Sequence, residues 1–118
     1  MQLSVEDREN VRIVRVQEAK LTYPVLSAFF AEVRQIVEGG GERLVIDLES
    51  VSYIDSASIG CLMDIHRLVQ ERDGALRLSS LQPRVETMIS MTGVHKIIGV
   101  HKDADAACRA FGKGKGGA

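Results

Sequence analysis

Cysteine is scarce. Cys61 and Cys108 are the only two in 118 residues, too few and too far apart for a disulfide framework. Cys61 lies in the apolar run Ile59-Gly-Cys-Leu-Met63, where a thiol packs as a small hydrophobe. An excess of charge of one sign is also missing. The chain has 15 Lys and Arg against 16 Asp and Glu, a formal net charge of −1. Nucleic-acid binding usually shows as a strongly basic balance, so no direct nucleic-acid partner is expected. No apolar run approaches the roughly 20 residues of a membrane span, and no basic segment followed by an apolar one opens the chain as a secretory signal does. The expectations are no membrane insertion and a cytoplasmic location. His66, His95 and His101 share no metal-ligand spacing with one another or with the cysteines, so no metal is expected. No Gly-Lys-Ser/Thr follows a strand and opens a helix, which removes a phosphate-binding loop.

What is present is the composition of a globular domain: 45% hydrophobic and 26% charged residues, at a single-domain length. Residues 2–6 and 11–16 read as two strands around the polar tetrad Asp7-Arg-Glu-Asn10, a hairpin. Val11, Ile13, Val14 and Val16 form its apolar part, and Arg8, Arg12 and Arg15 its wet face. Pro24 suits the first turn of a helix. That helix runs to about Glu38, with Leu26, Phe29, Phe30, Val33, Ile36 and Val37 at helical spacing, and Gly39-Gly-Gly41 stops it. Residues 43–48 are nearly continuously apolar, as in a strand buried on both faces.

A second helix is expected over 56–72, with Ile59, Leu62, Met63, His66 and Val69 on one face. Further expectations are a strand at 75–81, a helix at 83–91, a strand at 96–100 and a terminal helix at 103–111. Met63, Met88 and Met91 read as core filling. The alternation implies an α/β fold, a mostly parallel sheet with an antiparallel N-terminal hairpin at one edge, backed by about four helices. Residues 1–111 make one domain. Residues 112–118, with Lys113 and Lys115, read as a flexible Gly/Lys tail.

The segment that carries chemistry is Asp55-Ser-Ala-Ser-Ile-Gly60, where a strand ends and a helix begins. Loops at the carboxyl ends of strands are where partners of such sheets bind. Asp55 suits an N-cap, and Ser56 and Ser58 are expected in the exposed first turn. The segment is not Gly-x-Ser-x-Gly and has no histidine in a comparable loop. With no paired acid and base elsewhere, the chain reads as no enzyme, with no catalytic residue and no cofactor.

Leu44-Val-Ile-Asp-Leu-Glu-Ser-Val-Ser-Tyr-Ile-Asp-Ser56, followed by Ala-Ser-Ile-Gly60, resembles the STAS domains of the bacterial anti-sigma-factor antagonists. Their pattern is a hydrophobic strand, an Asp-Ser-Ser/Thr-Gly-Leu-Gly turn and a helix. The resemblance continues through Asp73-Gly-Ala-Leu-Arg-Leu78, Pro83-Arg-Val-Glu-Thr-Met-Ile-Ser-Met-Thr-Gly-Val94 and His95-Lys-Ile-Ile98, and covers most of the chain. It implies the STAS fold and a phosphorylation-controlled interaction module. By position Ser56 is the serine that an anti-sigma factor, itself a serine kinase, phosphorylates. Dephosphorylated, the antagonist binds the anti-sigma factor and frees the sigma factor, and a PP2C-type phosphatase resets the cycle.

Asp47, Asp55, Ala57, Ser58 and Ile59 fall on the positions the resemblance assigns to partner binding. The sequence departs from the pattern at Ala57, where a second Ser/Thr is usual, and at Ser58, where glycine is usual. It also has Leu21-Thr22 where many members have Leu-Asp. Ser58 therefore offers a second hydroxyl for modification. The altered Ala57-Ser58 pair keeps an alternative open: a STAS subunit of a lipid ABC transporter or of a stress-signalling complex, with no phosphate switch.

Overall fold

The computed structural model describes residues 1–112. All of the expected tail after its first residue, including Lys113 and Lys115, lies outside the described residues. The chain opens with an antiparallel hairpin of β1 (Leu3–Arg8) and β2 (Val11–Val16), in register from Leu3 opposite Val16 to Arg8 opposite Val11. The turn is not the four residues expected but two. Glu9 and Asn10 both take positive φ, 50° and 69°, the requirement of a two-residue hairpin turn whose twist matches its strands. Strand β1 therefore extends through Asp7 and Arg8. Arg8, Arg12 and Arg15 are only partly wet, because each is ion-paired. Arg15 and Arg8 share Glu6 at 2.7 and 2.8 Å, Arg12 meets Asp7 at 2.5 Å, and Arg8 also meets Asp105.

A short strand β3 (Lys20–Leu21) leads into α1 (Tyr23–Glu38), and then β4 (Arg43–Asp47), β5 (Tyr53–Ile54) and α2 (Ser56–Gln70) follow. Next come β6 (Ala75–Ser79) and α3 (Pro83–Met91), a single 3-10 turn (Val94–Lys96), β7 (Gly99–His101) and α4 (Ala104–Ala110). The main sheet has the order β1-β2-β4-β6-β7, parallel everywhere except the hairpin. The strand expected at 96–100 is thus split between the 3-10 turn and β7. The positive φ of Gly93, 78°, turns the chain sharply after α3.

The apolar runs of β2 and β4 are explained by a sheet covered on both faces. Val14, Val16, Leu44, Ile46, Leu76 and Leu78 enter the larger core beneath α1, α2 and α3. Val11, Ile13 and Val45 point the other way, against Ala104 and Ala107 of α4. The small α4 residues let that helix lie close to the sheet. Met63 and Met88 pack against the larger core, but Met91 is 81% exposed at the end of α3, contrary to a core role. Leu62 and Val69 are buried as expected. Cys61 and Ile65 complete the buried stripe of α2, which leaves His66 half-buried at its margin. Among the described residues, no helix is long and apolar enough to cross a membrane.

A second, two-stranded sheet lies outside the sequence expectations. Strands β3 and β5 pair in parallel with Lys20 opposite Tyr53 and Leu21 opposite Ile54. Two residues each are too short to leave a periodic signal. Their register nevertheless brings the start of α1 beside the start of α2.

Candidate functional site

Asp55 caps α2 from an extended conformation, φ −119° and ψ −179°. Its Oδ1 accepts from the Ser58 amide at 2.9 Å, and the Asp55 amide donates back to Ser58 Oγ at 3.2 Å. This reciprocal pair is a capping box, with serine in the third helical position instead of the usual Glu or Gln. The Ser58 hydroxyl also lies 2.7 Å from Asp55 Oδ1 and against the carbonyl of Leu21. The second carboxylate oxygen, Oδ2, accepts from the Tyr23 amide at 2.9 Å. Bonds to the carboxylate, led by that of the Ser58 hydroxyl and helped by the Tyr23 and Ser58 amides, hold the Asp55 carboxyl below the usual carboxylate range against the opposing effect of partial burial.

Two of the positions where the sequence departs from the resemblance, Thr22 and Ser58, lie in this arrangement. Thr22 is the N-cap of α1 yet makes no side-chain capping bond; the acidic group at that helix start is Asp55, reaching across from α2. Ser58 is fully buried. The expectation of an exposed second hydroxyl there is corrected, because the capping box turns Ser58 inward and occupies its oxygen. Asp47 is likewise not at the surface. It is 4% exposed, its Oδ2 accepts from the Ser79 and Ser80 hydroxyls at 2.8 and 2.7 Å, and its Oδ1 accepts from the Glu49 amide at 3.1 Å. Its carboxylate is buried and staples the ends of β4 and β6.

Ser56 occupies the first position of α2 and is exposed. Its hydroxyl takes no part in the cap. Ala57 and Ile59 are half-buried and pack against the larger core. Beside them a groove of about 470 Å³ runs between α1 and α2, lined by Tyr23, Leu26, Phe30, Ala57 and Cys61 among others. Tyr23 is 75% exposed at its rim. Sequence reasoning missed Tyr23, whose place depends on the β3–β5 register. Cys61 is 8% exposed, and burial, aided by the Asp64 carboxylate, pushes its thiol up to about 11.

An exposed hydroxyl at a helix N-terminus, on a cap that needs nothing from it, is a group free for modification or contact. The sequence matches the STAS domain over residues 2–107. The chain belongs to the STAS domain family. Within it, the chain falls with the anti-sigma-factor antagonists. It is 31% identical over 81 residues to BtrV of Bordetella bronchiseptica, named as a candidate anti-sigma factor antagonist, and the match spans 69% of this chain and 70% of that one. A Thermotoga maritima structure described in the same terms superposes over 92% of each chain, with a TM-score of 0.81 and 21% identity. The anti-sigma factor antagonist SpoIIAA of Bacillus is similar in two forms. The unphosphorylated one covers 94% of this chain and 99% of that one, with a TM-score of 0.69 and 18% identity. The phosphorylated one covers 92% and 99%, with a TM-score of 0.68 and 15% identity. At these identities the two solved proteins establish a shared STAS fold, including the hairpin edge and four helices.

Proposed function

We propose that this STAS domain is a partner-switching antagonist whose surface around Ser56 binds an anti-sigma factor when Ser56 is unmodified. The anti-sigma factor doubles as a serine kinase, and binding it frees the sigma factor. A base on the kinase takes the Ser56 proton, Ser56 Oγ bonds to the γ-phosphorus of ATP, and ADP leaves. A PP2C-type phosphatase hydrolyses the ester and resets the surface.

The observation that carries this reading is the contrast between two serines in one helical turn. Ser56 is exposed, whereas Ser58 is buried and bonded. SpoIIAA, of the same fold, exists in unphosphorylated and phosphorylated forms. Phosphate adds roughly −1.5 to −2 charges, taking the chain from a formal −1 to about −2.5 to −3. That charge arrives beside the ionised Asp55. An interface with no cation to meet it would lose several kcal/mol in desolvation, and each 1.4 kcal/mol is about tenfold in affinity. Release needs no refolding. Asp55, Ala57 and Ile59 supply the rest of the contact surface.

The alternative, a STAS subunit of a lipid ABC transporter or of a stress-signalling complex with no phosphate switch, rests on the altered Ala57-Ser58 pair. With Ser58 interior, that pair puts no second hydroxyl at the surface beside Ser56, which favours the antagonist reading. The test is incubation with the cognate kinase and ATP, read by mass spectrometry. One phosphate on Ser56, absent from Ser56→Ala, is expected; equal labelling of Ser56→Ala would overturn the assignment.

A further inference from the structure

The first turn of α1 has no cap of its own. Thr22 precedes it in an extended conformation without a side-chain bond, and Pro24 follows Tyr23 and has no N–H to offer. The Tyr23 amide is held from elsewhere, by Asp55 Oδ2 at 2.9 Å and thirty-two positions away. The other oxygen of the same carboxylate holds the Ser58 amide at 2.9 Å. One carboxylate thus serves two helix N-termini, and its neighbour in the chain is Ser56.

A phosphoryl group on Ser56 brings three acceptor oxygens to the start of α2. Free amides at a helix N-terminus attract phosphate, and here the Asp55 carboxylate already occupies one of them. Two anions then compete for one set of donors. The depressed titration of Asp55 means that, at neutral pH, proton uptake does not relieve their repulsion. Of the attachments of the carboxylate, those to Ser58 lie inside the capping box. The one to Tyr23 leaves it, toward an exposed residue.

We propose that Asp55 is a positioning residue coupling Ser56 to the first turn of α1: a phosphoryl group on Ser56 draws the carboxylate off the Tyr23 amide and loosens that turn. A partner docked over Ser56 then reads Tyr23 as well, at the rim of the groove that Ala57 also lines. The biological use of this coupling rests on the Ser56 reading above. The coupling itself requires no particular kinase.

The test uses the full chain with phosphoserine encoded at position 56 during synthesis, followed by amide hydrogen exchange measured by NMR. The Tyr23 amide is expected to exchange about tenfold faster or more, the loss typical of one charge-assisted hydrogen bond. The amide of Val33, in the middle of α1, is expected to stay unchanged. An unchanged Tyr23 rate with phosphoserine present would overturn the proposal. Asp55→Asn keeps one capping oxygen for the Ser58 amide but turns an NH2, itself a donor, toward the Tyr23 amide, which therefore exchanges faster before any phosphate is present. In that background phosphoserine is expected to leave the Tyr23 rate alone; an equal acceleration there would also overturn the carboxylate as the link. Coupling without any kinase that modifies Ser56 would remove the proposed function and keep this inference. A working kinase with a silent Tyr23 amide would do the reverse.

Discussion

The hydroxyl of Ser58, fully buried, meets the main-chain carbonyl of Leu21 across thirty-seven positions of sequence. It ties the end of β3 to the first turn of α2, next to the exposed Ser56. Ser58→Ala removes the group that the Leu21 carbonyl and the Asp55 amide both use. Leaving such buried groups unpaired costs about 1–3 kcal/mol, and a urea titration of both proteins is expected to show a loss of that size. A change within experimental error would mean that water replaces the hydroxyl.

A pair on neighbouring strands β6 and β7, Arg77 and His101, predicts a pH dependence. Arg77 Nη1 lies 3.1 Å from His101 Nε2. Arginine only donates, so His101 accepts as a neutral ring. Burial, and then the Arg77 charge, lower the His101 pKa from its ordinary 6.5. Between the unfolded and the lower folded value, the unfolded chain holds a proton that the folded chain lacks. Stability from this group is therefore full above about 6.5 and falls as pH drops through that window. His101→Gln keeps an acceptor for Arg77 but does not titrate. Thermal melts at pH 7.5 and 5.5 are expected to show a smaller acid loss for the variant than for the parent chain, and equal losses would exclude His101 as the cause.

Much of this architecture is written in local patterns. Helix α3 falls on the expected residues, and the stripe of Leu26, Phe29, Val33 and Val37 is the buried face of α1. The four-helix, mostly parallel order follows from alternation of periods alone. The errors at the site share one physical cause: they lie where a side chain's environment is set by residues distant in sequence. Asp47 looks like a surface acid until Ser79 and Ser80 arrive from β6. Ser58 looks like a second exposed hydroxyl until the β3–β5 pairing brings Leu21 to it. Asp55 was legible as a cap, because an N-cap interaction is local; its second role at Tyr23 was not.

Gly74 follows α2 just before β6 and sits against Glu42, the residue before β4. A Cβ built there would lie 2.0 Å from the carbonyl oxygen of Glu42, and backbone cannot swing aside as a flexible side chain does. The Ala75 amide also donates to that carbonyl at 3.0 Å, which holds the two segments close. Gly74→Ala is expected to cost about 3 kcal/mol, the upper part of the usual overpacking range. Gly60→Ala has open space and is expected to gain up to about 1 kcal/mol from helix propensity. Denaturant midpoints of the two variants on opposite sides of the parent would confirm both. Equal midpoints would show that the Glu42 segment yields freely.

Cys61 borders the groove between α1 and α2, yet its chemistry is that of an inert core thiol. The thiolate is the reacting species in alkylation. With its pKa raised to about 11 by burial and by Asp64, fewer than about one molecule in 1,000 carries it at pH 7.5. Burial further limits approach by reagent. Iodoacetamide at pH 7.5, followed by mass spectrometry of the separated peptides, is expected to modify Cys61 at least about 100-fold more slowly in the folded chain than in urea. The unfolded chain is the right reference, since it removes burial and the fixed nearby Asp64 charge together. Equal rates would mean that the groove opens to its floor in solution, and that α1 and α2 separate there faster than the reagent reacts.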